Sequence, residues 1–279
     1  MVTAVPANLT AVPANLTAVP ANLTAVPAGL LAAAAAWHIG PAATWLPGVR
    51  AALGPGLDGR GDRSHVALTF DDGPDPVTTP RFLRALDALS VRATFFVLGG
   101  RLARHPALGR LIAAEGHELA VHGWRHDRPW CPRPLRDARD LARAVDLVAE
   151  AAGRPPLWYR PPYGILTGGR WAAARAAGLR TVLWSAWGRD WTARATPWSV
   201  YAEVTRTLRG GATVLLHDSD VVSAPGAWRA ALGAVPELVA ECRRRGLAVG
   251  RLDEHGLVPA RQRPNIDGTN IRFSRTLEA

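Results

Sequence analysis

From residue 66 to residue 252 short apolar runs alternate with amphipathic segments, and this alternation constrains the fold more than any other feature of the chain. The runs at 66–70, 93–98, 118–122, 157–160, 181–185, 213–217 and 247–252 are rich in β-branched, aromatic and aliphatic residues and read as buried strands. Between them, 79–89, 101–114, 135–152, 169–177, 197–208 and 228–245 carry helical periodicity. Strands separated by helices pair in parallel. Seven of them within 279 residues predict an α/β fold closed, or nearly closed, into a barrel, with an open doubly wound sheet as the competing arrangement.

The first strand ends in chemistry. Val66, Leu68 and Phe70 lead directly into Asp71 and Asp72, and Gly73-Pro74 is turn chemistry that stops the strand. Adjacent carboxylates repel, so a cation, a metal or a shared proton has to compensate them; a bare Asp-Asp-Gly is otherwise as readily a plain turn. In a parallel barrel the C-terminal rim gathers the strand ends. There the third strand delivers His122 and His126, an i, i+4 pair that one turn can place on one side. Asp plus two His makes a divalent metal site with open positions the better reading. The fourth strand runs into Arg160-Pro161-Pro162-Tyr163, a loop stiffened by two prolines, the fifth into Asp190 between Trp187 and Trp191, and the sixth into Leu215, Leu216, His217 and Asp218. Singly these are a salt-bridged arginine, a core tryptophan and a satisfied histidine. Together they form five polar clusters at five strand ends.

Charge does not redirect this reading. The net charge is +10, but every one of the 33 basic residues is Arg, and they are scattered without a groove-reading motif, which argues against nucleic acid. The densest run, Arg243-Arg244-Arg245, closes a helix where cations suit the dipole. Attraction to an acidic cell envelope remains compatible with the excess. Cys131 and Cys242 stand in no metal or redox spacing; they read as inert thiols, with a disulfide between them left open.

The N-terminal part has a different composition. Residues 3–30 repeat the heptad Thr-Ala-Val-Pro-Ala-Asn-Leu three times and then as Thr-Ala-Val-Pro-Ala-Gly-Leu, with a proline in every copy that forbids a continuous helix, and the Asn-Leu-Thr triplets are by-products of the repeat. Residues 30–46 are Ala-rich and nearly uncharged, a marginal signal core or membrane segment that lacks a basic n-region and is interrupted by Gly40 and Pro41. The expected organisation is therefore a repeat, apolar segment and linker over 1–57, a catalytic domain over 58–258 and a polar tail over 259–279. Removal of 1–57, which carries no motif, is expected to leave activity intact.

The five clusters, in this order, resemble the NodB-homology polysaccharide deacetylases, carbohydrate esterase family 4, over 66–252, and Thr69-Phe70-Asp71-Asp72-Gly73-Pro74 matches the family's first motif without a change. The resemblance implies a distorted (β/α)7 barrel that removes N-acetyl or O-acetyl groups from polymeric sugars with one divalent metal, zinc first and Co2+, Mn2+ or Ni2+ as alternatives. It further implies Asp71 as base, Asp72, His122 and His126 as metal ligands, and Arg160 holding Asp71. Tyr163 would contribute a backbone N–H to the oxyanion, Asp190 would orient the acid His217, and Trp191 and Leu215 would wall the acetyl pocket. Two positions depart from the family pattern: Gly123 stands where Ser or Thr is usual, and Trp187 where many members carry an acid.

The chemistry is consistent with that division. An amide needs an activated water, a base and an acid of near-neutral pKa for the departing nitrogen, which histidine supplies. The expected partners are an acetylated polysaccharide and, through the apolar segment, a weak membrane contact; a monomer in an extracytoplasmic location is expected. Competing readings are a metal-dependent hydrolase of a small or cyclic amide on the same barrel, and a non-catalytic carbohydrate-binding module in which Trp124, Trp130, Trp187 and Trp191 stack on sugars.

Overall fold

The computed structural model describes residues 28–53 and 56–257. In chain order these form α1 (Ala28–Ile39), a 3-10 turn (Gly40–Trp45), α2 (Pro47–Leu53), β1 (His65–Asp71), α3 (Thr79–Ala88), β2 (Thr94–Val97), α4 (Gly99–Leu102), α5 (Pro106–Ala114) and β3 (Glu118–Val121). There follow α6 (Pro134–Ala152), β4 (Trp158–Tyr159), α7 (Gly168–Ala176), β5 (Arg180–Thr181), β6 (Ala186–Trp187), α8 (Pro197–Thr207), β7 (Thr213–His217), α9 (Trp228–Arg244) and β8 (Ala248–Gly250). The repeat up to residue 27 and the polar tail lie outside the described residues.

The strands pair in parallel in the order β5-β4-β3-β2-β1-β7-β6. β8 joins the first half of β1 on the edge whose second half pairs with β2. The sheet curls into a distorted barrel that stays open between β5 and β6, as the alternation of strands and helices predicts.

Two corrections concern element boundaries. The apolar run 181–185 is not one strand: it parts into β5 and β6 around Val182, Leu183 and Trp184. The segment 101–114 is not one helix either. His105 precedes Pro106, whose ring disfavours helical geometry for it, and it adopts φ −132°, ψ 57°, which separates α4 from α5.

Period-2 alternation along β1 divides two cores. Val66, Leu68 and Phe70 face the helix layer, where Phe70 meets Phe82 of α3 and Phe95 of β2 with ring centroids 5.1 and 5.2 Å away. Ala67 faces the barrel interior with Phe96, Ala120, Trp158 and Val182. The small side chains at Ala67 and Ala120 leave room there for Trp158 and for the fully buried guanidinium of Arg160, which lies 4.0 Å over Phe96. At the N-terminal end of the barrel, buried Glu118 accepts from Thr94 Oγ1 (2.7 Å) and Trp158 Nε1 (3.0 Å). Burial and nearby Asp253 push its pKa up to about 7.

Residues 28–53 do not stand apart from the barrel. α1 lies along α7, so tightly that a Cβ on Gly168 would come within 2.9 Å of the Trp37 ring, and His38 Nε2 lies 3.0 Å from Pro129 O. No helix among the described residues is long and apolar enough to cross a membrane. Cys131 is exposed and Cys242 buried, and both are free thiols.

Candidate active site

β1 ends at the C-terminal mouth with Asp71, and the chain turns at Asp72 with φ 79°, a left-handed conformation that non-glycine residues rarely adopt and that aims its carboxylate inward. Asp72 is fully buried and neither of its carboxylate oxygens has a hydrogen-bond partner. The Nε2 atoms of His122 and His126 each stand 3.4 Å from Asp72 Oδ1. His122 donates from Nδ1 to Arg160 O (2.8 Å), which leaves Nε2 as a lone pair in the neutral ring. Burial holds the pKa of His126 down to about 4 despite the attraction of Asp72, so its ring is neutral. Acceptors that converge without protons between them are what a bound cation requires, and Asp72, His122 and His126 have ligand atoms within 4.8 Å of one another.

Gly123, next to the first of these histidines, has φ 94°, and its carbonyl accepts from Gly99 N at 2.8 Å. Glycine adopts that backbone freely, so the loop here is set by main-chain geometry and not by a side-chain hydroxyl.

Asp71 points the other way, into the barrel, where Arg160 Nη1 donates to its Oδ1 at 2.7 Å and to Thr69 Oγ1 at 2.8 Å. Arg160 also donates to the carbonyls of Leu183 (2.8 Å) and Val182 (3.4 Å), across the opening between β5 and β6. The other Asp71 oxygen, Oδ2, lies 3.8 Å from His122 Nε2.

On β7, His217 is the register partner of Asp71. Buried Asp190 accepts from the His217 backbone N–H (2.8 Å) and lies 3.0 Å from its Nδ1. Burial alone would lower the pKa of His217, but Asp190, with Asp72 and Asp71 behind it, raises it to about 10.

Asp71, Asp72, His122, His126 and His217 line a cleft of about 350 Å³ whose walls also include Leu215, Trp184, Trp187 and Trp191, with Arg160 and Asp190 bonded behind Asp71 and His217. Trp187 lies 5.8 Å from Trp184 and 5.1 Å from Trp191, and Trp191 stands edge-on to His217 at 5.8 Å. Tyr163, at φ 60°, packs its ring 4.2 Å from that of His126. The structure thus brings all ten sequence-predicted site residues, Asp71, Asp72, His122, His126, Arg160, Tyr163, Asp190, Trp191, Leu215 and His217, to one mouth of the barrel.

With this geometry in place, the comparisons decide the family. The model of the polysaccharide deacetylase family matches residues 58–182. A chitooligosaccharide deacetylase of Bradyrhizobium sp. (strain ANU 289) is 43% identical over 164 residues, 58% of this chain and 73% of that protein. The chain belongs to the polysaccharide deacetylase family. A peptidoglycan-N-acetylglucosamine deacetylase of Bacillus cereus is 36% identical over 155 residues, 55% of this chain and 72% of the relative. Among solved structures, a family 4 carbohydrate esterase from Streptomyces lividans in complex with acetate superposes with TM-score 0.60 at 29% identity, over 68% of this chain and 93% of that one. The protein is a polysaccharide deacetylase, a hydrolase of carbon–nitrogen bonds other than peptide bonds.

Sequence reasoning left five residues that line the deacetylase cleft out of the site, Val222 and Ser223 among them, and misjudged Trp124. Trp184 and Ile165 line it from within runs read as strand and loop, and Trp45 reaches it from the segment read as an anchor. The prolines at 41 and 47, which bracket Trp45, were the available signal of an ordered turn. Trp124 does not present its face to the cleft: it packs against Gly99 and Gly100 and under the guanidinium of Arg143 at 3.9 Å.

Proposed function

We propose that this deacetylase removes N-acetyl groups from a cell-envelope or extracellular polysaccharide containing N-acetylhexosamine, with one divalent metal, zinc first, and that it works outside the cytoplasm. The observation that carries the reading is the register of β1 and β7. It sets Asp71 opposite His217 on adjacent strands, with the unpartnered carboxylate of Asp72 beside them.

Asp72, His122 and His126 would hold the metal in this reading, and a divalent cation there would supply Lewis-acid chemistry and a lowered pKa for water. Asp71, oriented by Arg160, takes the proton from the attacking water. The backbone N–H of Tyr163 donates to the oxygen of the tetrahedral intermediate. His217, kept protonated by Asp190, gives its proton to the amide nitrogen, a poor leaving group until it is protonated. Trp191 and Leu215 exclude water from around the acetyl methyl group. The names of the chitooligosaccharide and peptidoglycan relatives favour an N-acetylated glucosamine polymer over an acetylated xylan. The catalytic unit corresponds to 58–258.

The test incubates metal-loaded protein with N-acetylglucosamine oligomers, peptidoglycan, acetylxylan and small cyclic amides and measures released acetate or amide hydrolysis. Acetate from the first two supports the reading; turnover confined to cyclic amides would replace it.

A further inference from the structure

Trp45 belongs to the segment just before the catalytic unit, yet it stands at the mouth of the cleft. Its Nε1 donates to Tyr163 O at 3.2 Å, and its ring is perpendicular to Trp187 (interplanar angle 74°, centroids 6.3 Å apart). The turn that carries it is fixed from both sides. Thr44 Oγ1 donates to Pro41 O at 2.6 Å, and α1 upstream is held on α7 through Trp37 at Gly168 and on the loop between β3 and α6 through His38 at Pro129. α1 itself is Ala-rich and mostly exposed, so a few aromatic and polar side chains rather than a continuous apolar face set its position.

Trp45 is still 46% exposed, and the cleft keeps its volume of about 350 Å³ with the indole in place. It lines the opening and does not plug it. Trp45, Trp187 and Trp191 form a continuous aromatic row from the rim inward to His217, with Trp184 stacked beside Trp187. The C–H faces of a pyranose ring pack on such surfaces, whereas an acetyl group alone reaches no further than the inner end of the row.

We propose that residues 28–53 are part of the substrate site, and that Trp45 forms an outer subsite which stacks on a sugar unit adjacent to the one losing its acetyl group. The proposal rests on the saccharide reading above. It makes Trp45 a specificity-determining residue for chain length, and its effect falls on substrate binding and not on the acetyl-transfer chemistry to water.

The test compares full-length wild type, Trp45→Ala, Trp45→Leu and Trp45→Phe, all metal-loaded, on N-acetylglucosamine oligomers from the dimer to the hexamer. For the longer oligomers, KM should rise about 10-fold in the Ala variant, the loss of one aromatic stack, with kcat nearly unchanged. N-acetylglucosamine itself, assayed alongside, has no adjacent unit and should show little difference. The Leu variant keeps apolar bulk and should behave like Ala, which preserves the test if Ala does not fold; Phe keeps a flat ring and should restore the wild-type KM. Equal KM across variants and lengths would overturn the proposal, as would a lower KM in the Ala variant, the mark of an obstructing cap. Wild type that releases no acetate from any oligomer while cleaving another amide would instead overturn the saccharide reading.

Discussion

His122 Nε2 and Asp72 Oδ1 stand 3.4 Å apart and, with Nδ1–H of the histidine given to Arg160 O, both present lone pairs. His126 Nε2 stands at the same 3.4 Å from that oxygen. A fully buried carboxylate with no donor is costly, so the cluster is arranged for a cation.

Replacement of Asp72 by Asn, or of His122 or His126 by Ala, should therefore abolish both metal content and acetate release. Chelation of wild type should lower its Tm, and added metal should restore it. Asp71→Asn should lose activity and keep its metal, because Asp71 turns away to Arg160. Elemental analysis of purified proteins separates the two classes; metal loss in Asp71→Asn equal to that in Asp72→Asn would reverse the roles of the carboxylates.

Arg160 has a second role that explains where sequence reading fell short. β1, β2, β3 and β7 were legible because their apolar runs end in ladders on both sides, and the clusters at their ends carried the site. The run at Val182 and Leu183 is equally apolar, but the carbonyls of these residues go to the Arg160 guanidinium and not to a neighbouring strand. Strand propensity reports burial on a pleated surface and cannot distinguish a ladder from a long-range side-chain donor. Trp45 was illegible for a related reason: composition marks residues 30–46 as apolar, and only tertiary contact shows that their partner is the barrel.

Arg160→Met should accordingly destabilise the whole domain. It leaves the Asp71 carboxylate buried without its partner and removes the donors from two carbonyls, a loss of about 3–5 kcal/mol for one half of a buried pair. Denaturant titration measures it. A change below about 1 kcal/mol, the range of exposed pairs, would show that Asp71 is adequately solvated without Arg160.

His65 and His255 predict acid sensitivity. Their Nδ1 atoms are 2.7 Å apart, and His255 Nε2 faces the carbonyls of Gly59 and Gly211, each at 3.1 Å. Nε2 must carry the proton, so Nδ1 of His255 accepts from Nδ1–H of His65 and cannot be protonated without breaking the pair. Burial, aided by His65, holds His255 at about 4. A base with a lowered folded pKa contributes no pH-dependent loss above its unfolded value, near 6.5. As pH falls from there toward 4, the unfolded state takes up the proton first and stability drops by on the order of 3 kcal/mol. His255→Gln should be weaker at neutral pH but flatter between pH 6.5 and 4. An equally steep slope in that variant would assign the sensitivity to the other histidines that burial holds down, His117 and His126 near 4 and His65 below its ordinary value.

The last prediction concerns the acid. His217 faces Asp190 at 3.0 Å, with Asp71 and Asp72 beyond, and its pKa is raised to about 10. A divalent cation at Asp72 offsets part of that negative charge and brings the value down, which leaves Asp190 as the main source of the remaining elevation. The protonated form is the active one, so activity persists up to the folded pKa and is lost as pH rises through it. Asp190→Asn keeps the shape, removes the charge and weakens the imidazolium. The alkaline limb of kcat/KM should therefore move to lower pH, with a smaller change in the acidic limb. His217→Ala should lose activity at every pH, since the departing nitrogen then has no donor. The measurement is kcat/KM against pH for the three metal-loaded proteins on one N-acetylglucosamine oligomer. An alkaline limb that stays in place in Asp190→Asn would mean that the limb reports a group other than His217, and appreciable turnover by His217→Ala would remove this histidine from the chemistry altogether.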